Sequence, residues 1–437
     1  MKIPGDAHRA WYPLDTTALI FPPIISRRYT TVFRLSARLH EPVDLPALQE
    51  AVSQLYRRTP YFCVRLRRGF FWYYLEECSP APVLPDDGAP CLDHPRHDTD
   101  RPLVLVRARG TRIAVEASHA ITDGGGALTF LKTLLDHYRH VRAGVSPGEP
   151  RDTGGEPAGL LSPGPPEDWE ERDANRMYHV SGRPHPPRYA PAWHLPGPLL
   201  PVGQYRVTTG RYRVQDLRER SRAMNVSLTD FFLAVFMFVL QERYFAAPPP
   251  SRRSRKPIRI LVPVDMRLRT GNDTMRNFFV YAMVEIDQRL GRYELDEIAR
   301  NVHHQLRAQL DTRSLQKQVS RSVAARLNRF NRLIPVFIKD LILKTLYRRR
   351  GDAVNTASFS NLGAVRLPDA TARLVRDFDV LPPPSPVTGL NMTLISFEET
   401  VSVSFGSYRK TVEVERAFFR TLAQQGLRGE LVVNWRE

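Results

Sequence analysis

Residues 111–140 bring together side chains that could do acid–base chemistry. They read TRIAVEAS, then HAITDGGG, then ALTFLKTLLDHYRH. His119 supplies an imidazole whose ordinary pKa of about 6.5 leaves it available as a base near neutrality. Held against a hydroxyl or amine, such a base takes the proton as that group attacks a carbonyl carbon. Asp123, four residues on, is placed to face away from His119 and to pair with a cation distant in sequence, which would pin the turn. Gly124, Gly125 and Gly126 are expected to adopt torsions that a Cβ forbids and to let a ligand come close. A His-x-x-x-Asp spacing alone is common by chance, so its setting must carry the weight.

That setting reads as a strand, a loop and a helix. Ile113, Val115 and Ala117 alternate onto one face of a strand, and Leu128, Leu131, Leu134, Leu135 and Tyr138 recur at helical spacing. Residues 103–108 and 112–117 form a hairpin turning at Gly110. Upstream, 28–39 alternates as a strand. Asp44 then caps a helix that carries Pro46 in its first turn, runs through Leu48, Val52 and Leu55, and stops at Thr59-Pro60. Residues 61–66 and 70–75 read as two short strands, and 79–100 as loop. In the second half, strands are expected over 204–212, 258–264, 277–286 and 430–434, with a hairpin of 390–397 and 400–407 around Glu398-Glu399. Helices are expected over 214–224, 295–310, much of 319–347 and 412–425. The apolar run 231–240 lies in a buried helix over 229–244, since it is too short for a bilayer, which needs about 20 residues.

A chain of 437 residues exceeds one ordinary hydrophobic core, so two domains are expected. Residues 144–203 are dense in proline and glycine and keep no apolar period beyond one short helix near 169–177. They read as a crossing between a first half, 1–143, which carries the His119 loop, and a second half, 204–437. His179, His185 and His194 fall in this crossing or its loops and read as structural or solvated, and the adjacent His303 and His304 as solvated surface. Cys63, Cys78 and Cys91 are odd in number and lack metal-ligand spacing, which fits a reducing cytosol. The N-terminus carries no apolar run of the secretory kind.

The formal net charge is +17. Local basic runs occur at Arg252, Arg253, Arg255 and Lys256, and again at Arg348, Arg349 and Arg350. Neither interleaves with aromatics as a nucleic-acid module does, so nucleic acid is not an expected partner. Most of this charge reads as solvated surface, with a share left to guide an anionic substrate or an acidic carrier protein. One face of 327–350 is apolar with basic ends. That pattern suits a membrane surface, but a core-facing helix is the commoner arrangement, and membrane association is not expected.

The segment His119-Ala120-Ile121-Thr122-Asp123-Gly124 resembles the HxxxDG signature of the chloramphenicol acetyltransferase-like acyltransferases. That superfamily includes alcohol acetyltransferases, polyketide-associated acyltransferases and the condensation domains of peptide synthetases. Residues 42–66 look like its first helix and the following arginine-bearing strand, and 226–240 like its buried helix. Val262-Pro263-Val264-Asp265-Met266-Arg267 resembles its P-V-D-x-R strand end, and Ser360-Asn361-Leu362-Gly363 its S-N-x-G turn. The resemblance implies an α/β (α+β) fold of two similar halves, each a mixed sheet flanked by helices, with a tunnel between them. It implies His119 as general base, Asp123 as a structural residue with Arg267 as its partner, and Gly124 beside the thioester. Ser360 or Asn361 would donate to the oxyanion. Acyl-CoA, or an acyl-carrier thioester, would be a co-substrate, with a small-molecule alcohol or amine as acceptor and no metal or redox cofactor. Condensation domains usually carry a second histidine where this chain has Ser118. Ser404-Phe405-Gly406-Ser407 matches D-F-G-W-G only in part, and Arg276 replaces the glycine of G-N-F before Asn277 and Phe278. The nearer resemblance is thus to a stand-alone, alcohol O-acetyltransferase-like enzyme.

Overall fold

The structure is a computed structural model describing residues 10–92, 100–144, 159–180, 189–247, 255–328, 331 and 333–434. Among these, the first part of the chain forms β1 (Trp11–Pro13), β2 (Val32–Leu39), β3 (Val64–Arg68), β4 (Tyr73–Glu77), β5 (Leu84–Pro85), β6 (Val104–Arg109) and β7 (Arg112–Ser118). The rest forms β8 (Arg206–Arg213), β9 (Ile258–Asp265), β10 (Phe279–Ile286), β11 (Ala357–Val365), β12 (Val375–Leu381), β13 (Leu390–Phe397), β14 (Thr400–Ser407) and β15 (Glu430–Val433). His185, Arg252 and Arg253 lie outside the described residues.

Local signals explain most elements. The Asp44 side chain accepts from Ala47 N at 3.1 Å, capping helix Leu45–Arg58 with Pro46 in its first turn. Gly110, at φ +57°, closes the β6–β7 hairpin in a conformation that glycine adopts freely. Helix Leu228–Ala246 is buried on every side, with Phe231, Phe232 and Phe236 inaccessible to solvent. Each such phenylalanine contributes about 1.5–3 kcal/mol on burial, and together they anchor the second core against Phe405 and Phe418.

The strands assemble into two mixed sheets and a small one. A five-stranded sheet runs β12-β2-β7-β6-β5, a seven-stranded sheet β10-β9-β11-β13-β14-β8-β15, and a third β1-β4-β3. Phe33, Leu35 and Ala37 of β2 face the first core, where they meet helices Leu45–Arg58 and Gly124–Arg142. The first sheet is not built by the first half alone. β12, from the second half, pairs antiparallel with β2, Phe378 opposite Ala37, and so stitches the halves together.

Several sequence expectations change here, among them that of a strand over 70–75, which begins only at Tyr73. The crossing is more than a connector: its helices Asp168–Glu171 and Ala174–Met177 wedge between the halves, and Glu170 is fully buried. The basic charge is not all at the surface, because Arg34, Arg58, Arg65, Arg206, Arg211 and Arg259 are buried in ion pairs with carboxylates. His303 is not simply solvated, since its Nδ1 meets Asp230 Oδ2 at 2.9 Å. Helix Val336–Arg350 does not send its apolar face into a core. Val336, Asp340, Leu343 and Tyr347 form its inward stripe, yet Phe337, Ile338, Leu341, Ile342 and Leu346 stand exposed on the other side. Apolar residues on both faces explain why the one-sided reading failed. No single described helix is long and apolar enough to cross a membrane.

Candidate active site

The first-half sheet delivers His119. In the β2–β7 register Val32 lies opposite Ser118, and the ladder continues one step, with His119 N–H donating to Thr31 O at 3.0 Å. Thr31 holds φ +58°, left-handed for a β-branched residue, at the point where its carbonyl fixes this amide. From the second half, Asn277 Nδ2 donates to His119 O at 3.0 Å and to Asp15 Oδ2 at 2.8 Å. The backbone of the residue is thus gripped from two sides.

Three aromatic rings surround the imidazole. Phe21 stacks on it at 5.0 Å between centroids, Phe33 lies tilted at 4.5 Å, and Phe279 meets it edge-on at 6.0 Å. Nδ1 is buried and has no hydrogen-bond partner among the described residues, whereas the residue as a whole is only half-buried. Burial lowers the imidazole pKa to about 4, against the raising effects of the Asp123 charge, the Asn277 side chain and the Thr122 backbone. The ring is therefore neutral at physiological pH.

Asp123 has a different task. Its Oδ1 accepts from Gly126 N at 3.1 Å, capping helix Gly124–Arg142, and its Oδ2 accepts from Phe278 N at 2.7 Å. Arg267 binds the same carboxylate through both terminal nitrogens, Nη2 to Oδ1 at 2.9 Å and Nη1 to Oδ2 at 3.0 Å. The guanidinium also donates to Asp265, Thr274 O and Arg276 O. These carboxylates raise the Arg267 pKa despite its burial, so the pair is ionic.

The three glycines sit in the first helical turn, and none lies in the left-handed region. The torsion expectation is therefore replaced by one of space. A Cβ on Gly124 would touch the Leu362 side chain at 3.3 Å, and one on Gly125 would meet Arg267 Nη1 at 2.8 Å. On Gly126 it would strike Met275 O at 2.4 Å. The glycines let the second half close onto the loop.

Residues 360–363 are not a turn. They belong to β11 and bulge between Asn361 and Ala364, with Gly363 at φ +76°. The bulge reaches the loop through Leu362 against Gly124. Ser360 is half-buried, and the exposed Asn361 bonds Thr229 Oγ1 at 2.9 Å and Gly363 N at 2.8 Å. Where condensation domains carry a second histidine, Ser118 is wholly buried, and its Oγ accepts from Ala120 N at 3.2 Å.

Sequence reasoning passed over Asp15, Phe21 and Glu170, and noted Asn277 only as a motif neighbour. Asp15 is buried, and that burial, with Asp173 nearby, raises its carboxyl pKa to about 7. Glu170 accepts from Arg58 Nη1 at 3.0 Å and from Tyr61 OH, while its carbonyl accepts from Met275 N at 2.8 Å. An acid in a loop and an acid in a one-turn helix give no periodic signal. A cavity of about 920 Å³ lies between β2 and β8, lined by Arg34, Arg38, Arg206 and Arg211. His119 is not among its lining residues.

No family model and no curated protein matches the sequence. Solved structures do match along nearly its whole length. The TRI101 structure from F. sporotrichioides, complexed with coenzyme A and T-2, superposes with a TM-score of 0.64 at 12% identity, covering 96% of this chain and 99% of that one. Polyketide synthase associated protein 5 from Mycobacterium tuberculosis gives 0.58 at 16%, covering 94% and 96%. The first condensation domain of the CDA synthetase gives 0.59 at 14%, covering 96% and 97%. The fold is therefore the two-lobed, chloramphenicol acetyltransferase-like one.

Proposed function

We propose that the protein is an acyltransferase that moves an acyl group from a thioester donor, acyl-CoA, to a hydroxyl or amine acceptor, as an alcohol O-acetyltransferase does. The observation that carries this reading is the neutral imidazole of His119, held at a strand end by Thr31 and Asn277 and walled by three aromatic rings. The neighbour solved with coenzyme A and T-2 supports it through the shared fold.

In this reading His119 Nε2 removes the acceptor proton as the acceptor oxygen or nitrogen attacks the thioester carbonyl. The tetrahedral intermediate collapses with loss of the thiolate, which takes the proton back from the imidazolium. The Asp123 charge and the Thr122 backbone, which favour the protonated ring, stabilise the imidazolium as it forms. Asp123 and Arg267 hold the loop and do not touch substrate. Gly124 gives the thioester backbone to lie against. Ser360 is the better oxyanion donor, because the Asn361 amide is already bonded to Thr229. Incubation with acetyl-CoA and mixed alcohols is expected to release thiol, and His119→Ala to stop it. Equal slow release by both proteins would refute the reading.

A carrier-dependent, condensation-like homologue is the second reading, favoured by the likeness to the CDA synthetase domain. Ser118 in place of a histidine speaks against it. Turnover with a carrier-bound thioester but none with acyl-CoA would establish it.

A further inference from the structure

The exposed side of helix Val336–Arg350 is an apolar feature the proposed chemistry does not use. Phe337 is 57% exposed and Leu341 69%, and Ile338, Ile342 and Leu346 continue the same side. A second segment joins them. The turn between β3 and β4 presents Phe70, 67% exposed, and Trp72, 57% exposed. It is fastened to the helix: Val336 N donates to Phe70 O at 2.8 Å and Lys339 Nζ to Phe71 O at 2.7 Å. Asp340, the helix's only acid, is turned inward and bonded by Arg68 at 3.1 Å and Tyr73 at 2.9 Å. The patch is thus preassembled from two parts of the chain, and its rim carries the exposed cations Lys344, Arg348, Arg349 and Arg350.

We propose that this face docks the protein on an anionic lipid bilayer, with the helix lying in the plane of the interface and Trp72 at headgroup depth. Contiguous apolar exposure of this kind marks an interaction surface. An apolar helix side with a basic rim is what an interfacial helix presents, and the cations complement an anionic leaflet. Trp72 adds the aromatic ring favoured at that depth. A cavity of about 540 Å³ opens beside the patch between Leu341, Lys344, Pro22 and Pro23. Its wall adjoins Phe21, the residue stacked on His119.

The test is flotation of the full chain with vesicles of phosphatidylglycerol and, separately, of phosphatidylcholine. The wild type is expected to float with the anionic vesicles and not with the neutral ones, and to be released by high salt. Phe337→Glu with Leu341→Glu is expected to abolish flotation without altering the melting temperature, since both side chains are exposed. Should that pair unfold, Arg348→Gln, Arg349→Gln and Arg350→Gln together serve instead, lowering binding about a hundredfold. Failure to bind anionic vesicles would overturn the proposal. So would a wild type that dimerises without lipid and is made monomeric by the same substitutions, which would assign the face to a second copy of the chain.

Discussion

Arg267 donates to both carboxylate oxygens of Asp123, at 2.9 and 3.0 Å, across 144 residues of sequence. One residue ends the helix-opening loop of the first half, and the other follows the strand β9 of the second. The pair therefore does two things at once: it orders the loop behind His119 and fastens one half to the other. Both side chains are largely buried, so neither charge is well served by water alone.

Removing one partner leaves an uncompensated charge. Asp123→Ala is expected to cost about 3–5 kcal/mol, and Arg267→Lys to recover little of the loss from Arg267→Ala, since an ammonium cannot make the bidentate contact. Denaturant unfolding measures both. Asp123→Asn should lose activity together with stability. Full activity with an unchanged melting temperature would refute a structural role for the carboxylate.

The glycines separate two kinds of space. Gly126→Ala is expected to destabilise by about 3 kcal/mol, because the new methyl meets a backbone carbonyl that cannot turn aside. Gly124→Ala meets only the end of the Leu362 side chain and is expected to be nearly neutral for stability. Thermal melts of the two variants should differ clearly, and equal melts would contradict the packing.

The pH profile follows from burial. In the proposed reading His119 acts as base while neutral, and its pKa is lowered to about 4, so protonation is expected to remove activity only as pH falls towards that value. The acid limb of kcat/KM due to His119 is expected well below the usual 6.5. A limb near 7 has another source: the Asp15 carboxyl, raised to about 7 and bonded to the Asn277 that holds His119. Asp15→Asn should remove the limb near 7 and leave the lower one. The signs also differ for stability. Asp15 in the folded protein binds its proton more tightly than in the unfolded chain, so its contribution fades as pH rises through 7.

Glu170 tests whether the crossing is structural. Arg58 and Tyr61 from the first half bond its carboxylate, and Met275, eight residues beyond Arg267, bonds its carbonyl. Glu170→Ala is expected to cost about 3–5 kcal/mol by leaving the buried Arg58 charge without its carboxylate, with only the Ser162 carbonyl, among the described residues, still accepting from it. A change within experimental error would mean that the segment is a passive link.

Much of this architecture was readable from local patterns. The Asp44 cap, the Gly110 hairpin, the buried helix and the β13–β14 hairpin depend on residues within a few positions of one another, where periodicity and turn chemistry act directly. The Asp123–Arg267 contact was reachable only through motif resemblance, because no spacing rule links residues so far apart. Asn277, Asp15 and Phe21 carried no such signal. A single asparagine before a strand, an acid in a loop and a phenylalanine beside two prolines are ordinary until the fold gathers them around one ring.

The amino-acid sequence by itself determined most of the strands and helices, though neither β11 in full nor β12, and which histidine stands at a strand–helix junction. Tertiary structure alone decided that three glycines serve closeness rather than torsion, that β12 crosses to the other half's sheet, and that an apolar helix face remains outside. The physical reason is the same in each case. Local conformation is set by neighbours along the chain, whereas burial, a carboxylate's partner and the pKa of an imidazole are set by whatever the folded chain brings alongside.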